Sequence, residues 1–182
     1  CRIFQDKQVQ EIVEDIFKDS KIPSDRYEFR LFNKEHLRRY CVQYRETDLA
    51  FINRILAEEG IYYFYEHTKD KHRMIFADDP VCYMPIAGDT TMTFKPASGL
   101  NPEKAVISRI DISRSLCSGS YTQTNYNFKM PSVPLETKAQ SRDENVRKYE
   151  IYDYPGQYGE TDRGRKLTKA RMEGRTAMQE QA

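Results

Sequence analysis

The chain has 182 residues and a mass of 21.5 kDa, with 38% hydrophobic, 31% charged and 12% aromatic residues. No apolar run approaches the roughly 18 residues of a transmembrane helix, and the composition is that of a folding domain rather than a disordered tract. Lys and Arg number 29 against 28 Asp and Glu, a formal net charge of +1, so no whole-chain field draws the protein to nucleic acid or anionic lipid. A chain of this size encloses one core or two small ones.

Val9, Ile12, Val13, Ile16 and Phe17 recur at helical spacing, with Asp6 or Gln8 near the start and Pro23 beyond the end, which predicts an amphipathic helix over about residues 7 to 19. Tyr27, Phe29 and Leu31 then alternate with Glu28 and Arg30, and Tyr40, Val42 and Tyr44 alternate with Cys41 and Gln43, the period of two half-buried strands. From Thr47 the pattern is helical again. Thr47 reads as the N-cap, Leu49, Ile52 and Leu56 share a face beside Phe51 and Ile55, and Gly60 is placed to close the helix. Ile61 to Tyr65 and Arg73 to Phe76 follow as strands of a hairpin across Lys69-Asp70-Lys71.

From Asp78 onward, Pro80, Pro85, Gly88, Pro96, Gly99 and Pro102 break the pattern into short pieces, and a boundary is expected near residues 84 to 104. Three parts follow: an α/β domain over 1–88, a β-rich, barrel-like segment over 89–159, and a terminal helix over 160–182. Within the second part, Val106, Ser108, Ile110 and Ile112 alternate as a strand, Tyr121 to Lys129 and Lys148 to Tyr154 are two more, and Gln140 to Asn145 is polar enough for a loop. In the last part Leu167, Ala170, Gly174 and Ala177 form a thin stripe of mostly small residues that needs a partner. The fold class is therefore α+β and β-rich. Because the sequence opens on Cys1 and ends inside a charged helical run, it reads as a piece of a longer protein.

Cofactor chemistry has little local support. The eight glycines form no dinucleotide or phosphate-binding loop, so ATP and NAD are not expected. Ser118 lacks the glycine two places before it that a nucleophile elbow requires. Cys1, Cys41, Cys82 and Cys117 stand too far apart for a zinc ribbon or redox dithiol and read as separate thiols. His67 and His72 lie five apart across the expected turn, with His36 elsewhere; that spacing is not diagnostic of a metal, and polar residues suit a turn. Asp78-Asp79 resembles a carboxylate pair, but neighbours on a strand point to opposite faces, so turn entry is the expected role. Glu58-Glu59 ends a helix, where the macrodipole disfavours negative charge. Thirteen tyrosines suggest sheet-covering faces rather than nucleic-acid stacking. No catalytic, cofactor-binding or metal-binding residues are assigned.

Tyr40 to Phe51, running on through Ile55-Leu56-Ala57-Glu58-Glu59-Gly60-Ile61-Tyr62-Tyr63-Phe64, resembles the signature of the VgrG family of type VI secretion spike proteins. Cys1 to Lys7 is similar to that family's entry into the preceding helix, and Tyr149-Glu150-Ile151-Tyr152-Asp153-Tyr154-Pro155-Gly156-Gln157-Tyr158 to the motif closing its hub region. The resemblance covers nearly the whole chain. It implies a fold related to the hub of contractile phage tails, with barrel-type β domains and a smaller α/β domain. It also implies a homotrimer that meets the Hcp tube protein at one end and continues into a needle at the other, with baseplate components and effector or adaptor proteins as further partners. Neither the needle nor the opening part of the hub is expected in these residues. Catalysis is not implied here; assembly in the bacterial cytoplasm followed by export through the type VI apparatus is. A phage or prophage baseplate hub is the alternative within structural proteins. A cell-wall hydrolase, resting only on scattered carboxylates, is the rival from another class.

Overall fold

The computed structural model describes residues 1–33, 36–85, 88, 90–96 and 106–181. The chain divides into two compact units, Cys1–Met84 and Pro85–Ala182.

Unit 1 opens with β1 (Arg2–Phe4) and α1 (Val9–Asp19). The backbone amide of Gln8 donates to Glu11 Oε2 at 2.7 Å, and all five residues of the apolar stripe are buried, each contributing about 1.5–3 kcal/mol relative to exposure. β2 (Tyr27–Arg30) and β3 (Cys41–Gln43) precede α2 (Asp48–Glu59). Thr47 caps α2 by accepting from the Ala50 amide at 3.2 Å, and Gly60, at φ 76°, closes it in the left-handed conformation with Ile61 N donating to Leu56 O. The hairpin β4 (Tyr62–His67) and β5 (His72–Ala77) completes a three-stranded sheet in the order β2-β5-β4, with β2 parallel and β4 antiparallel to β5. Phe51, Ile52, Ile55 and Leu56 of α2 join the α1 stripe over Phe76, with Tyr27, Phe29, Tyr63 and Met74 packed at its margin.

Two apolar expectations here are corrected. β1 and β3 form a separate antiparallel ladder with Phe4 opposite Cys41 and Arg2 opposite Gln43. Because Phe4 stacks on Phe51 at 5.6 Å, Cys41 and Gln43 share the inward face, while Tyr40 and Tyr44 are exposed: the strand is inverted relative to its expected orientation. The buried Gln43 amide nitrogen donates to Asp48 Oδ1 at 2.7 Å and to Glu46 O at 3.2 Å, while its Oε1 has no hydrogen-bond partner among the described residues. Leu49, expected beside Ile52 and Leu56, lies on the solvent side of α2.

Unit 2 contains β6 (Ser113–Arg114), β7 (Ser120–Gln123), β8 (Thr137–Gln140), β9 (Glu150–Asp153), α3 (Thr161–Gln179) and β10 (Glu180–Gln181). β7 is central, antiparallel to β8 and parallel to β9, and β6 pairs with β10. Among the described residues these sheets are open. The strand expected over Val106 to Ile112 makes one bridge, Phe94 to Ile107, and its Ile110 and Ile112 side chains stay exposed. Within the expected boundary region, residues 86, 87, 89 and 97–104 lie outside the described residues. The polar loop expected at Gln140–Asn145 leaves the end of β8 as a tied corner: Ser141 N donates to Gly119 O, and a 3-10 turn at Glu144–Val146 is capped by Asp143. The Tyr154–Pro155 peptide is cis.

α3 packs on the sheet through Gly164, Leu167, Thr168 and Met172, which are buried; of the expected stripe Leu167 faces inward and Ala170 is half-buried, while Gly174 and Ala177 are exposed. Small and polar residues win that face because the sheet beneath presents polar groups of its own, Gln123 and Thr137.

Candidate functional site

The carboxylates singled out in the sequence are tied into the framework. Asp78 accepts from two backbone amides, Phe32 N on Oδ1 and Asn33 N on Oδ2, both at 2.8 Å, while Asp79 Oδ1 accepts from Val81 N at 2.9 Å and caps the turn at Pro80–Cys82. Adjacent in sequence, the two serve different loops, as expected of a turn entry. Glu58 and Glu59 receive the forked guanidinium of Arg38 at 2.6 and 2.7 Å, which offsets the unfavourable dipole at the end of α2. Cys41 and Cys82 are buried, Cys117 is half-buried and Cys1 is exposed.

On the face of the unit 1 sheet turned away from the helices, Glu28, Arg30, Glu66 and Arg73 form a closed ion network with contacts of 2.7 to 2.9 Å. Hydrogen bonds from Arg30 hold the Glu28 and Glu66 carboxyls below the usual glutamate range, with Arg73 adding to the effect. Beside the network, Tyr62 stacks on Tyr83 at 5.0 Å and donates to Asp79 O at 2.8 Å. Burial, with Tyr83 next to it, pushes the Tyr62 phenol up to about 12.

In unit 2 the joint between α3 and the sheet is a buried polar network. Gln123 Nε2 donates to Thr168 Oγ1 at 2.6 Å, Thr168 donates to Gly164 O at 2.8 Å, and Thr137 Oγ1 lies 2.6 Å from Thr168 Oγ1. Arg171 reaches the Gln123 side-chain oxygen, Asp153 at 3.3 Å and Tyr121 at 3.4 Å, and Tyr121 donates to Asp153 at 2.7 Å. Sequence reasoning missed this joint. The available signal was Thr168 and Arg171 one turn apart on the same helix face as Gly164.

The two segments that carry the family resemblance have a physical role. In the first, Arg54 bonds Glu46 at 2.7 Å and the Val42 carbonyl at 3.0 Å, locking the strand-to-helix turn. In the second, the bend at Pro155-Gly156-Gln157 delivers Tyr158 to the interior, where its hydroxyl donates to Leu135 O at 2.5 Å and lies 3.0 Å from Gln123 O.

Each unit also leaves apolar groups outside. Ile3 is 60% exposed, Tyr40 60%, Tyr44 64% and Leu49 59%, all on or beside the β1–β3 ladder, and Arg45 lies over the Tyr44 ring at 5.3 Å. In unit 2 Tyr149, Tyr152 and Tyr154 are exposed along β9 and its exit. Rows of aromatic and branched side chains of this kind suit contact with another protein surface rather than chemistry on a small molecule. Among the described residues, no helix is long and apolar enough to cross a membrane.

The family described as phage tail baseplate hub (GPD) matches residues 1–182. Among individual proteins, the chain is similar to type VI secretion system spike protein VgrG1c of Pseudomonas aeruginosa, 33% identical over 95% of this chain and 24% of that protein. It is also similar to VgrG1a of the same organism, 32% identical over 99% of this chain and 28% of that protein. The chain thus spans about a quarter of the length of the curated relatives it matches. A solved structure, the E. coli c3393 protein, a component of the type VI secretion system, aligns over 70% of this chain and 30% of that one, at 22% identity and a TM-score of 0.45.

Proposed function

The chain belongs to the phage tail baseplate hub family, and we propose that it is the hub segment of a type VI secretion spike that works without catalysis of its own. Similarity to spike proteins over 95% and 99% of its length carries this reading. In it, three copies assemble into a ring that seats a tube of Hcp-like subunits, with baseplate components around it and effector or adaptor proteins borne by the whole protein. Assembly takes place in the bacterial cytoplasm and export follows through the contractile apparatus. The exposed rows at Ile3, Tyr40, Tyr44 and Leu49, and at Tyr149, Tyr152 and Tyr154, are the surfaces such a ring would cover. Asp78, with both carboxylate oxygens accepting backbone amides, favours a structural role over hydrolysis.

The test is secretion of the tube protein after deletion of the gene, with paralogues removed and the intact gene restored as control. Loss from the medium and recovery on complementation are expected. Unchanged secretion would transfer the chain to a phage-tail baseplate, the second reading that the family description supports.

A further inference from the structure

The sequence offers His67 and His72 only as two polar residues flanking a turn. The hairpin register adds what spacing cannot. They are direct cross-strand partners, the last pair of β4 and β5 before the turn. Thr68 N donates to Lys71 O at 2.9 Å, and the Thr68 hydroxyl joins the same closure, so the four-residue turn holds the strand ends together. The two imidazoles meet edge to face with ring centroids 4.6 Å apart, and their Nδ1 atoms converge to 2.5 Å. Tyr65 stacks behind His67 at 6.2 Å and limits its ring from that side. Both histidines are otherwise exposed.

Two imidazole nitrogens approach this closely only with something electropositive between their lone pairs: a single shared proton or a metal ion. We propose that the His67–His72 pair is a two-imidazole chelate for a borderline divalent transition ion, of the Cu2+, Ni2+ or Zn2+ class. The ion takes one lone pair from each Nδ1, and the proton the two shared moves through solvent to the free Nε2 of the ring that carried it. Metal–nitrogen bonds near 2.0–2.1 Å at a cis angle require the two nitrogens about 3 Å apart, a small opening that exposed rings reach by side-chain rotation. Among the described residues no third His, Cys, Asp or Glu completes a cluster, so water fills the other positions. The cations on either side of His72 in sequence are already paired, Lys71 with Asp25 at 3.1 Å and Arg73 with Glu28 and Glu66 at 2.9 Å. Oxygen-seeking Mg2+ and Ca2+ find no ligands of their kind in this pair. A bound ion clips residues 67 and 72 across the mouth of the turn, so it stabilises unit 1 by mass action. This site is independent of the hub assignment.

The untagged chain, titrated with Cu2+ and Ni2+ near pH 7.5, is expected to take up one equivalent, Cu2+ more tightly than Ni2+, with no response to Mg2+. With diamagnetic Zn2+ as the titrant, the Nδ1 resonances of His67 and His72 should shift on binding while those of His36 do not. His67→Ala and His72→Ala should each weaken binding at least tenfold with an unchanged far-UV spectrum, and His36→Ala should leave it as it was. Undiminished binding in the His67→Ala, His72→Ala double variant, or binding by the parent chain no tighter than by that variant, would overturn the site.

Discussion

Tyr158 shows how one side chain converts a sequence motif into structure. Its ring is 3% exposed, its hydroxyl ties the Leu135 and Gln123 carbonyls, and Asn125 donates to its carbonyl at 2.6 Å. The ring fits because two neighbours lack side chains: a Cβ on Gly156 would come within 2.2 Å of it and one on Gly164 within 2.4 Å. Removing the hydroxyl leaves the buried Leu135 carbonyl without its donor, so Tyr158→Phe should cost about 1–3 kcal/mol. Gly164→Ala should also destabilise, even though alanine is the better helix former, because its methyl has to displace the ring. Gly174, on the same helix with nothing within 4 Å of its would-be Cβ, should behave oppositely, Gly174→Ala adding up to about 1 kcal/mol. Thermal unfolding of the three variants decides the matter; equal effects at both glycines would show that helix propensity alone governs α3.

At the level of elements, the helices of unit 1 were legible because apolar groups at the 3.6-residue period have one way to be buried. The Asp78 carboxylate was likewise legible as a turn-entry group. β8 was not, since Thr137-Lys138-Ala139-Gln140 holds no large apolar residue and is a strand by virtue of its ladder with β7. The side assignment of β3 failed for a related reason: Phe4, remote in sequence, decides which face turns inward. The α2 stripe supplies a paired test. Leu56→Asp places an unpartnered carboxylate at a 2% exposed position and should cost about 3–5 kcal/mol, enough to unfold unit 1. Leu49→Asp, seven residues earlier but on the solvent side, should stay within about 0.5 kcal/mol of the parent. The sheet's ion network makes a further prediction. Glu28 and Glu66 have carboxyls lowered in the folded state, so their contribution is present above the ordinary glutamate range and is lost as pH falls through the lowered values. Urea midpoints measured from pH 7 down to pH 3 should therefore fall more steeply for the parent than for Arg30→Gln, and parallel curves would rule the network out as the source.

At the scale of the whole molecule, two well-packed units retain exposed aromatic rows although the chain carries almost no net charge. Exposed tyrosines bring large contact area at small conformational cost, and the Arg45 guanidinium lies over the Tyr44 ring at 5.3 Å. If these rows are subunit contacts, charging them damages assembly and spares folding. Tyr44→Asp on unit 1 and Tyr152→Asp on unit 2 are expected to leave the chain's melting temperature nearly unchanged, because neither side chain is buried in the isolated chain. In the full-length protein the same substitutions should reduce the trimer fraction measured by light scattering, and tube-protein secretion should fall with it. A carboxylate without a partner at the buried centre of an interface is costly, whereas one at a solvated rim is nearly neutral. The larger loss therefore identifies which unit supplies the interface centre, and trimers that persist with both substitutions would place the subunit contacts elsewhere on the chain.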